Sequence, residues 1–387
     1  MKHPRDTMKD APESAGPGRV GRRRFLGLAL VSSAVPAAIA RQLETPEYRR
    51  AVPGYTYQFP RDHGAHPDYR IEWWYYTGHL DGAGGERYGY ELTFFRVGVD
   101  RIAANPSAWN VRDLHLAHFA VSDLGSGQFR YFERVNRQGP GIAVTETGTL
   151  RVRNESWSAM LNAETTTLRA FAGGILMELD LVSIKPPVIH GIDGVSQKAD
   201  GAGQASHYYS LTRLSTSGLL SFDGAPVLVQ GESWMDHEFG TSQLASDQVG
   251  WDWFSLQLNN GEELMLYQLR RIDGSIDPNS SGTLVDRSGQ GSHLAGSTFS
   301  VRSMREWGSP ESGAIYPLDW DITVGPIAAA LRVRVLMDDQ ELVTTRSTGI
   351  AYWEGAVEVE GTWRGQSVLG RGYVELTGYR EDFRPDV

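Results

Sequence analysis

Residues 218–236 read GLLSFDGAPVLVQGESWMD, and residues 355–375 read GAVEVEGTWRGQSVLGRGYVE. Gly218 and Gly224 stand six apart, as do Gly355 and Gly361. Both stretches close on glycine, two residues, an aromatic, an apolar and an acidic residue. These are Gly231, Trp234, Met235 and Asp236 in the first, and Gly370, Tyr373, Val374 and Glu375 in the second. Only the middle gap differs, by two residues, which a hairpin loop tolerates. An internal echo of this kind marks a repeated structural unit. The chain is therefore expected to divide into residues 1–40, 41–240 and 241–387, the last two being similar β-domains. The polar stretch TSQLASDQ (241–248) reads as their connection.

The same pattern extends along the body. Short apolar and aromatic runs alternate with Gly, Asn, Asp and Ser breaks: YGYELTFFRVGV (88–99), LHLAHFAVSD (114–123), GILMELDLVSI (174–184), DWFSLQL (252–258), ELMLYQL (263–269) and ALRVRVLM (330–337). In the last, Leu331, Val333 and Val335 face one way and Arg332 and Arg334 the other, the period of a half-buried antiparallel strand. DGAGG (81–85), LGSGQ (124–128), NNGEE (259–263) and DGS (273–275) are hairpin signals. No long amphipathic pattern follows residue 50. Many short strands with regular turns predict an all-β sandwich or barrel.

Composition narrows the function. The 387 residues are 40% hydrophobic and 22% charged, which suits a folded domain and excludes a multi-span membrane protein. The absence of cysteine excludes disulfides, thiolate metal sites and cysteine nucleophiles. The first forty residues hold seven Lys/Arg and three Asp/Glu, leaving 30 Lys/Arg against 44 Asp/Glu, a formal charge of -14, for the rest. So acidic a body has no general attraction for nucleic acid or an anionic membrane surface.

Arg22-Arg23-Arg24-Phe25-Leu26 precedes the short apolar run LALVSSAV, and Ala38-Ile39-Ala40 offers an A-x-A cleavage site. This is the pattern of a twin-arginine export signal, with a mature chain starting near Arg41. The run is too short to span a bilayer, and no later segment has about eighteen consecutive apolar residues. A soluble periplasmic or secreted protein is expected.

Three clusters carry the chemical candidates. In FPRDHGAHPDYRIEWWYYTGHL (59–80), a His- and Pro-rich loop leads into a strand. There Glu72, Trp74 and Tyr76 share one face, and Trp73, Tyr75 and Thr77 the other. The cluster is either packing or an aromatic pocket with Glu72 pointing in. GESWMDHEFG (231–240) puts Trp234, Asp236 and Glu238 on one face and Met235, His237 and Phe239 on the other. A carboxylate desolvated beside an indole gains a raised pKa and can act as a general acid; His237 is the alternative acid–base group. The competing reading is a domain-joining strand whose carboxylates cap turns or pair with Arg. In GWDWFSLQL (250–258), Trp251 and Trp253 share a face that Asp252 opposes, so Asp252 is a second pocket carboxylate or a strand-edge residue. His115 and His118 form H-x-x-H but point to opposite faces of a strand, which argues against a shared metal. H-E-x-x-H, the G-x-S-x-G elbow and a P-loop are absent. Neither a metal site nor a cofactor is expected.

Together FPRDHGAHPDYRIEWWYYTGHL, LHLAHFAVSD, GESWMDHEFG, GWDWFSLQL, YWEGAVEVEG and GYVELTGY resemble the carotenoid 1,2-hydratase (hydroxyneurosporene synthase) and AttH-like family, often labelled "predicted secreted hydrolase". The resemblance covers about residues 55–380. It implies two lipocalin-like antiparallel β-barrel domains packed side by side, with an apolar ligand site near their junction. Its hydratases add water to an isolated alkene of a long polyene, using a histidine of an Asp-His motif, here His237, and an acid on a following strand. That strand matches ELMLYQL, where Tyr267 and Gln268 stand in place of an acid, so Asp236 or Asp252 would have to serve.

Two functions follow as expectations. One is an exported hydro-lyase or isomerase acting on a hydrophobic isoprenoid-like or lipid substrate. Asp236 is its proton donor, His237 tunes or relays, and Glu72 holds water or orients His237. Trp74, Tyr75, Trp234, Glu238, Trp251, Asp252 and Tyr267 form the substrate wall. The other is a non-catalytic periplasmic carrier of a lipid, with export or lipid-transport machinery as its partner class.

Overall fold

The computed structural model describes residues 47–101, 107, 110–139, 141–242 and 244–380. The expected export signal lies outside them. The described residues belong to one compact unit. Its strands are β1 (Ile71–Gly82), β2 (Arg87–Gly98), β3 (Asp113–Asp123), β4 (Gln128–Arg137), β5 (Ala143–Thr145), β6 (Arg151–Asn154), β7 (Trp157–Asn162), β8 (Thr165–Ala172), β9 (Ile175–Ser183), β10 (Val188–Ile189), β11 (Ser196–Gln197), β12 (Ala205–Phe222) and β13 (Ala225–Gly240) in a first sheet. A second sheet holds β14 (Gln248–Leu258), β15 (Glu263–Arg271), β16 (Ser281–Val285), β17 (Gly291–Ala295), β18 (Phe299–Gly308), β19 (Ile315–Val324), β20 (Ala329–Val335), β21 (Glu341–Thr344), β22 (Ile350–Trp363) and β23 (Gln366–Thr377). The first sheet curls into a nearly closed barrel and the second into a half-barrel beside it, an all-β, lipocalin-like arrangement. The first sheet ends at Gly240 and the second begins at Gln248. Among the described residues, no helix is long and apolar enough to cross a membrane.

Strand order repeats. The first sheet runs β4-β3-β2-β1-β13-β12-β9-β8-β7-β6-β5 and the second β17-β16-β15-β14-β23-β22-β20-β19-β18. From β4 and β17 to β7 and β18 the two orders match strand for strand. The echoed segments are the hairpins β12–β13 and β22–β23, but their register differs from the one expected. Both turn through two left-handed residues, Asp223–Gly224 (φ 49° and 89°) and Arg364–Gly365 (φ 53° and 78°), the geometry that matches strand twist in a tight hairpin. Counting from the turns, Gly231 is equivalent to Gly372 rather than Gly370. Each presses its backbone onto a carbonyl of the neighbouring strand. A Cβ would lie 1.9 Å from His79 O at Gly231 and 2.1 Å from Ser255 O at Gly372. The slip is two residues at Gly231 and four at Gly218 and Gly224, which correspond to Val359 and Gly365; both are even, so the facing of every side chain is unchanged.

Each sheet has its own core. Trp74, Trp157, Leu168, Met177 and Leu214 lie in the first; Phe254, Trp320, Trp353 and Trp363 lie in the second. Where only one face is covered, burial alternates, as along β20. Where the sheets meet, both faces are covered. The second half of β13, from Ser233 to Gly240, is buried without interruption, while its first half is largely exposed.

Polar ties hold the sheets together. His79 Nε2 donates to Gly372 O at 2.8 Å, and Gln257 Nε2 donates to Thr212 O and Ser233 O at 2.8 and 3.0 Å. Fully buried Glu263 on β15 receives Arg213 Nε at 2.7 Å and Lys185 Nζ at 2.6 Å from the first sheet. Removing one partner of a buried ion group strands the other charges, at a cost of roughly 3–5 kcal/mol. Glu263→Ala is accordingly expected to lower the unfolding free energy by about that amount in urea denaturation. A loss below about 1 kcal/mol would mean that water screens the triad.

Candidate active site

β1 and β13 pair in antiparallel register, Tyr75 opposite Asp236 and Trp74 opposite His237. One face of the pair looks into the first barrel and the other toward the second sheet. Between the sheets lies a cavity that, with its solvent-open mouth, holds about 1330 Å³ of empty space. Trp73, Tyr75, Phe95, Leu116, Trp251, Trp253, Tyr267 and Leu269 give it apolar and aromatic walls. Asp236, Glu238, Lys198, Tyr208, Glu91, Glu354 and Glu375 add polar groups.

Asp236 is 4% exposed. Its Oδ2 accepts Tyr208 OH at 2.6 Å; its Oδ1 accepts Trp234 Nε1 at 2.6 Å and the Ser210 hydroxyl. Burial pushes its carboxyl up to about 7, against these three donors, and nearby Glu238 adds to the rise. A carboxyl with that value exchanges its proton near neutrality, as a general acid must. Behind it, Ser210 Oγ meets His190 Nε2 at 2.6 Å, and His190 Nδ1 meets Thr283 Oγ1 at 2.7 Å. This chain of exchangeable protons leads away from the cavity. Glu238 is paired with Lys198 at 3.1 Å and accepts the Ser206 hydroxyl. Lys198 stands 4.2 Å over the Tyr267 ring, a cation–π contact.

The barrel face carries a different group. Glu72 Oε1 meets His237 Nε2 at 2.9 Å and His66 Nδ1 at 2.7 Å, and Glu72 Oε2 accepts Arg96 Nε at 3.0 Å. Burial alone would raise the Glu72 carboxyl, but Arg96 and the two imidazoles hold it well below the carboxylate range. Burial lowers His237, which stacks on Trp74 at 4.8 Å. His66, Glu72 and His237 offer ligand atoms within 4.8 Å of one another, a nitrogen and oxygen donor set that suits a divalent cation. Arg96 already neutralises Glu72 and would compete with a metal there.

The structure thus divides the sequence candidates. It brings Tyr75, Asp236, Glu238, Trp251 and Tyr267 to the cavity wall. Trp234 supports Asp236 from behind. Glu72, Trp74 and His237 lie on the barrel side of the same strands, so His237 does not tune Asp236; Ser210 and Tyr208 hold that carboxyl instead. Glu72 does contact His237. Asp252 faces the second core, bound to Arg270 Nε at 3.0 Å and Tyr379 OH at 2.9 Å, away from the cavity. His118, on the cavity side, is a buried, hydrogen-bonded histidine between Tyr352 OH (2.7 Å) and Ser347 Oγ (2.9 Å). The stretch 241–248 is no free connection, since Ser242 and Leu244 line the cavity. Sequence reasoning missed Tyr208, Lys198, Glu91 and Glu354. Glu375 closes the internal echo and was visible there.

Because folded Asp236 keeps a proton that the unfolded chain releases above about pH 4, its contribution to stability is present below that value. It is lost as pH rises to about 7, on the order of 4 kcal/mol in all. The stability of Asp236→Asn relative to the parent should therefore rise by several kcal/mol across that window, measured by denaturant unfolding at each pH. A flat difference would mean that Asp236 is ionised throughout.

A family model described as AttH-like matches residues 50–379. A crystal structure from Nitrosomonas europaea assigned to AttH is 35% identical, with a TM-score of 0.78, covering 86% of this chain and 100% of that one. Kievitone hydratase of Fusarium solani subsp. phaseoli is 27% identical over 146 residues, 37% of this chain. The match spans only 40% of that relative's length. The crystal structure of kievitone hydratase from Nectria haematococca, 16% identical, shares the fold with a TM-score of 0.67 over 88% of this chain and 99% of that one. With the family model spanning nearly the whole described unit, the chain belongs to the AttH-like family.

Proposed function

We propose that this protein is a hydratase- or isomerase-type enzyme acting on a hydrophobic, alkene-bearing substrate held between the two sheets. The observation that carries the reading is Asp236: a buried carboxyl with a pKa of about 7, on the wall of an aromatic-lined cavity. In hydration, the Asp236 carboxyl gives its proton to one alkene carbon, and the positive charge forms on the other. The faces of Trp73, Trp251 and Trp253 stabilise that cation. Water adds its oxygen to the cation, and the proton it loses returns to the Asp236 carboxylate, restoring the acid. Ser210 and His190 continue the hydrogen-bonded chain from Asp236 to Thr283 on the second sheet. The likeness to kievitone hydratase supports the same class. The Arg22–Arg24 motif supports export by the twin-arginine route to the periplasm or beyond, and an isoprenoid-like or lipid substrate suits the cavity walls.

A second reading, a carrier of the same ligand, is favoured by one feature: Asp236 already accepts three hydrogen bonds, as a structural carboxylate would. Two steps separate them. The ligand that co-purifies from the native host is identified by mass spectrometry, and its conversion is followed with the parent and variants. For the enzyme, Asp236→Asn keeps ligand binding and loses roughly 10²–10⁴ in turnover, the usual worth of a general acid. For the carrier, no conversion occurs and binding is unchanged. Glu72→Gln, on the barrel side, should lower stability yet leave turnover within a few-fold; a loss as large as that of Asp236→Asn would move the chemistry to the Glu72–His237 side.

A further inference from the structure

Three carboxyls of the cavity wall take no part in the chemistry assigned to Asp236. Glu91 on β2 and Glu354 on β22 are each 1% exposed, and partly exposed Glu375 lies on β23. One oxygen of each buried acid is occupied: Glu91 Oε1 by the Thr93 hydroxyl, and Glu354 Oε1 by Tyr75 OH at 2.7 Å. The other oxygen of each, Glu91 Oε2 and Glu354 Oε2, is buried and has no hydrogen-bond partner. Lys198 is the one Lys or Arg among the described lining residues, and it is paired with Glu238. Among the described residues no ion pair reaches Glu91, Glu354 or Glu375.

Unpaired carboxyls crowded in an apolar wall keep their protons, because each ionisation would be both desolvated and repelled. Burial pushes Glu91 up to about 8; burial and then repulsion from Glu91 push Glu375 to about 8; burial, Glu375 and Glu91 push Glu354 well above the usual range. A protonated carboxyl is a hydrogen-bond donor, and a buried donor without an acceptor is costly. The two bare oxygens therefore describe a site that a ligand completes.

We propose that Glu91 and Glu354, as neutral acids, form a two-donor clamp for a carbonyl-type oxygen, so that the cavity takes an uncharged, apolar molecule carrying a ketone or enone group. This rests on the reading of the cavity as the ligand site and specifies which ligands enter it. An acid kept neutral in an apolar site to donate to a carbonyl oxygen is an established device in other enzymes. Here it fixes one end of the ligand against β2 and β22 and leaves the apolar remainder along the tryptophan wall.

The clamp is tested by quenching of the cavity tryptophans with three probes: β-ionone, its carbonyl-free hydrocarbon analogue, and dodecylamine. At about pH 6, β-ionone should bind at least about tenfold tighter than the hydrocarbon. At about pH 9.5, with Glu91 ionised and no longer donating, that preference should fall several-fold. Other groups face the clamp: Asp236, the Lys198–Glu238 pair, His118, Tyr75, Tyr352 and Tyr373. Glu375, opposite Glu354 on β23, faces it as well, and of all these groups Asp236 and Glu375 also change charge in this interval. The double variant Glu91→Gln/Glu354→Gln isolates the clamp, because an amide donates without titrating; it should keep the ketone preference at both pH values. Glu91→Leu/Glu354→Leu should lose it at both. Equal binding of ketone and hydrocarbon at about pH 6, or tightest binding by dodecylamine, overturns the clamp and leaves the cavity as a ligand site. Failure of every probe to bind the folded parent overturns the ligand site and the clamp together.

Discussion

The far halves of β1, β12 and β13 are covered on both faces, and most of this protein's organisation follows from that. A strand has only two directions in which to send side chains. When one direction is a barrel core and the other a second sheet, adjacent residues enter unconnected environments. Asp236 and His237 are neighbours in sequence, yet one meets Tyr208, Ser210 and the cavity while the other meets Glu72, Tyr209 and Trp74. The stretch Trp234–Phe239 therefore serves two sites. One is an ion network that stiffens the barrel end, and the other is a carboxyl poised for proton exchange.

The seam between the sheets is polar where they touch and apolar where they part. Glu263, Gln257 and His79 tie backbone and charge across the seam. Around the cavity aromatic rings make up most of the wall, and the hydrogen bonds Tyr75–Glu354, Trp253–Tyr208 and His118–Tyr352 tie the sheets at its edges. Acids in such a place lack both water and counter-ions, which is why their protons are held so firmly. Lys198 satisfies only Glu238, so the asymmetry within the cavity comes from one loop lysine between β11 and β12.

Much of the fold was legible in the sequence, because period-two alternation and hairpin glycines are local signals. LRVRVLM lies along β20 with its valines in and its arginines out. The internal echo revealed the repeat but misplaced its register by two residues on one strand and four on the other, since glycines that press against a carbonyl resemble those that make turns. The site was half legible. Alternation correctly paired Asp236 with Trp234 and Glu238. It could not say which face was the cavity, because on a strand buried twice both faces read as core. Asp252 went astray for that reason, its face belonging to the second core. Lys198, Glu91 and Glu354 reach the cavity from strands and loops distant in sequence, with no local pattern to announce them.

The matching strand orders have a consequence for how the two halves depend on each other. Each half carries its ring-lined face on the same strands, so each is the other's lid. Expressed alone, either would present bare tryptophans to solvent and would be driven to pair with a copy of itself. A molecule built in this way can change the contents of its seam by altering one half at a time, while the other preserves the enclosure.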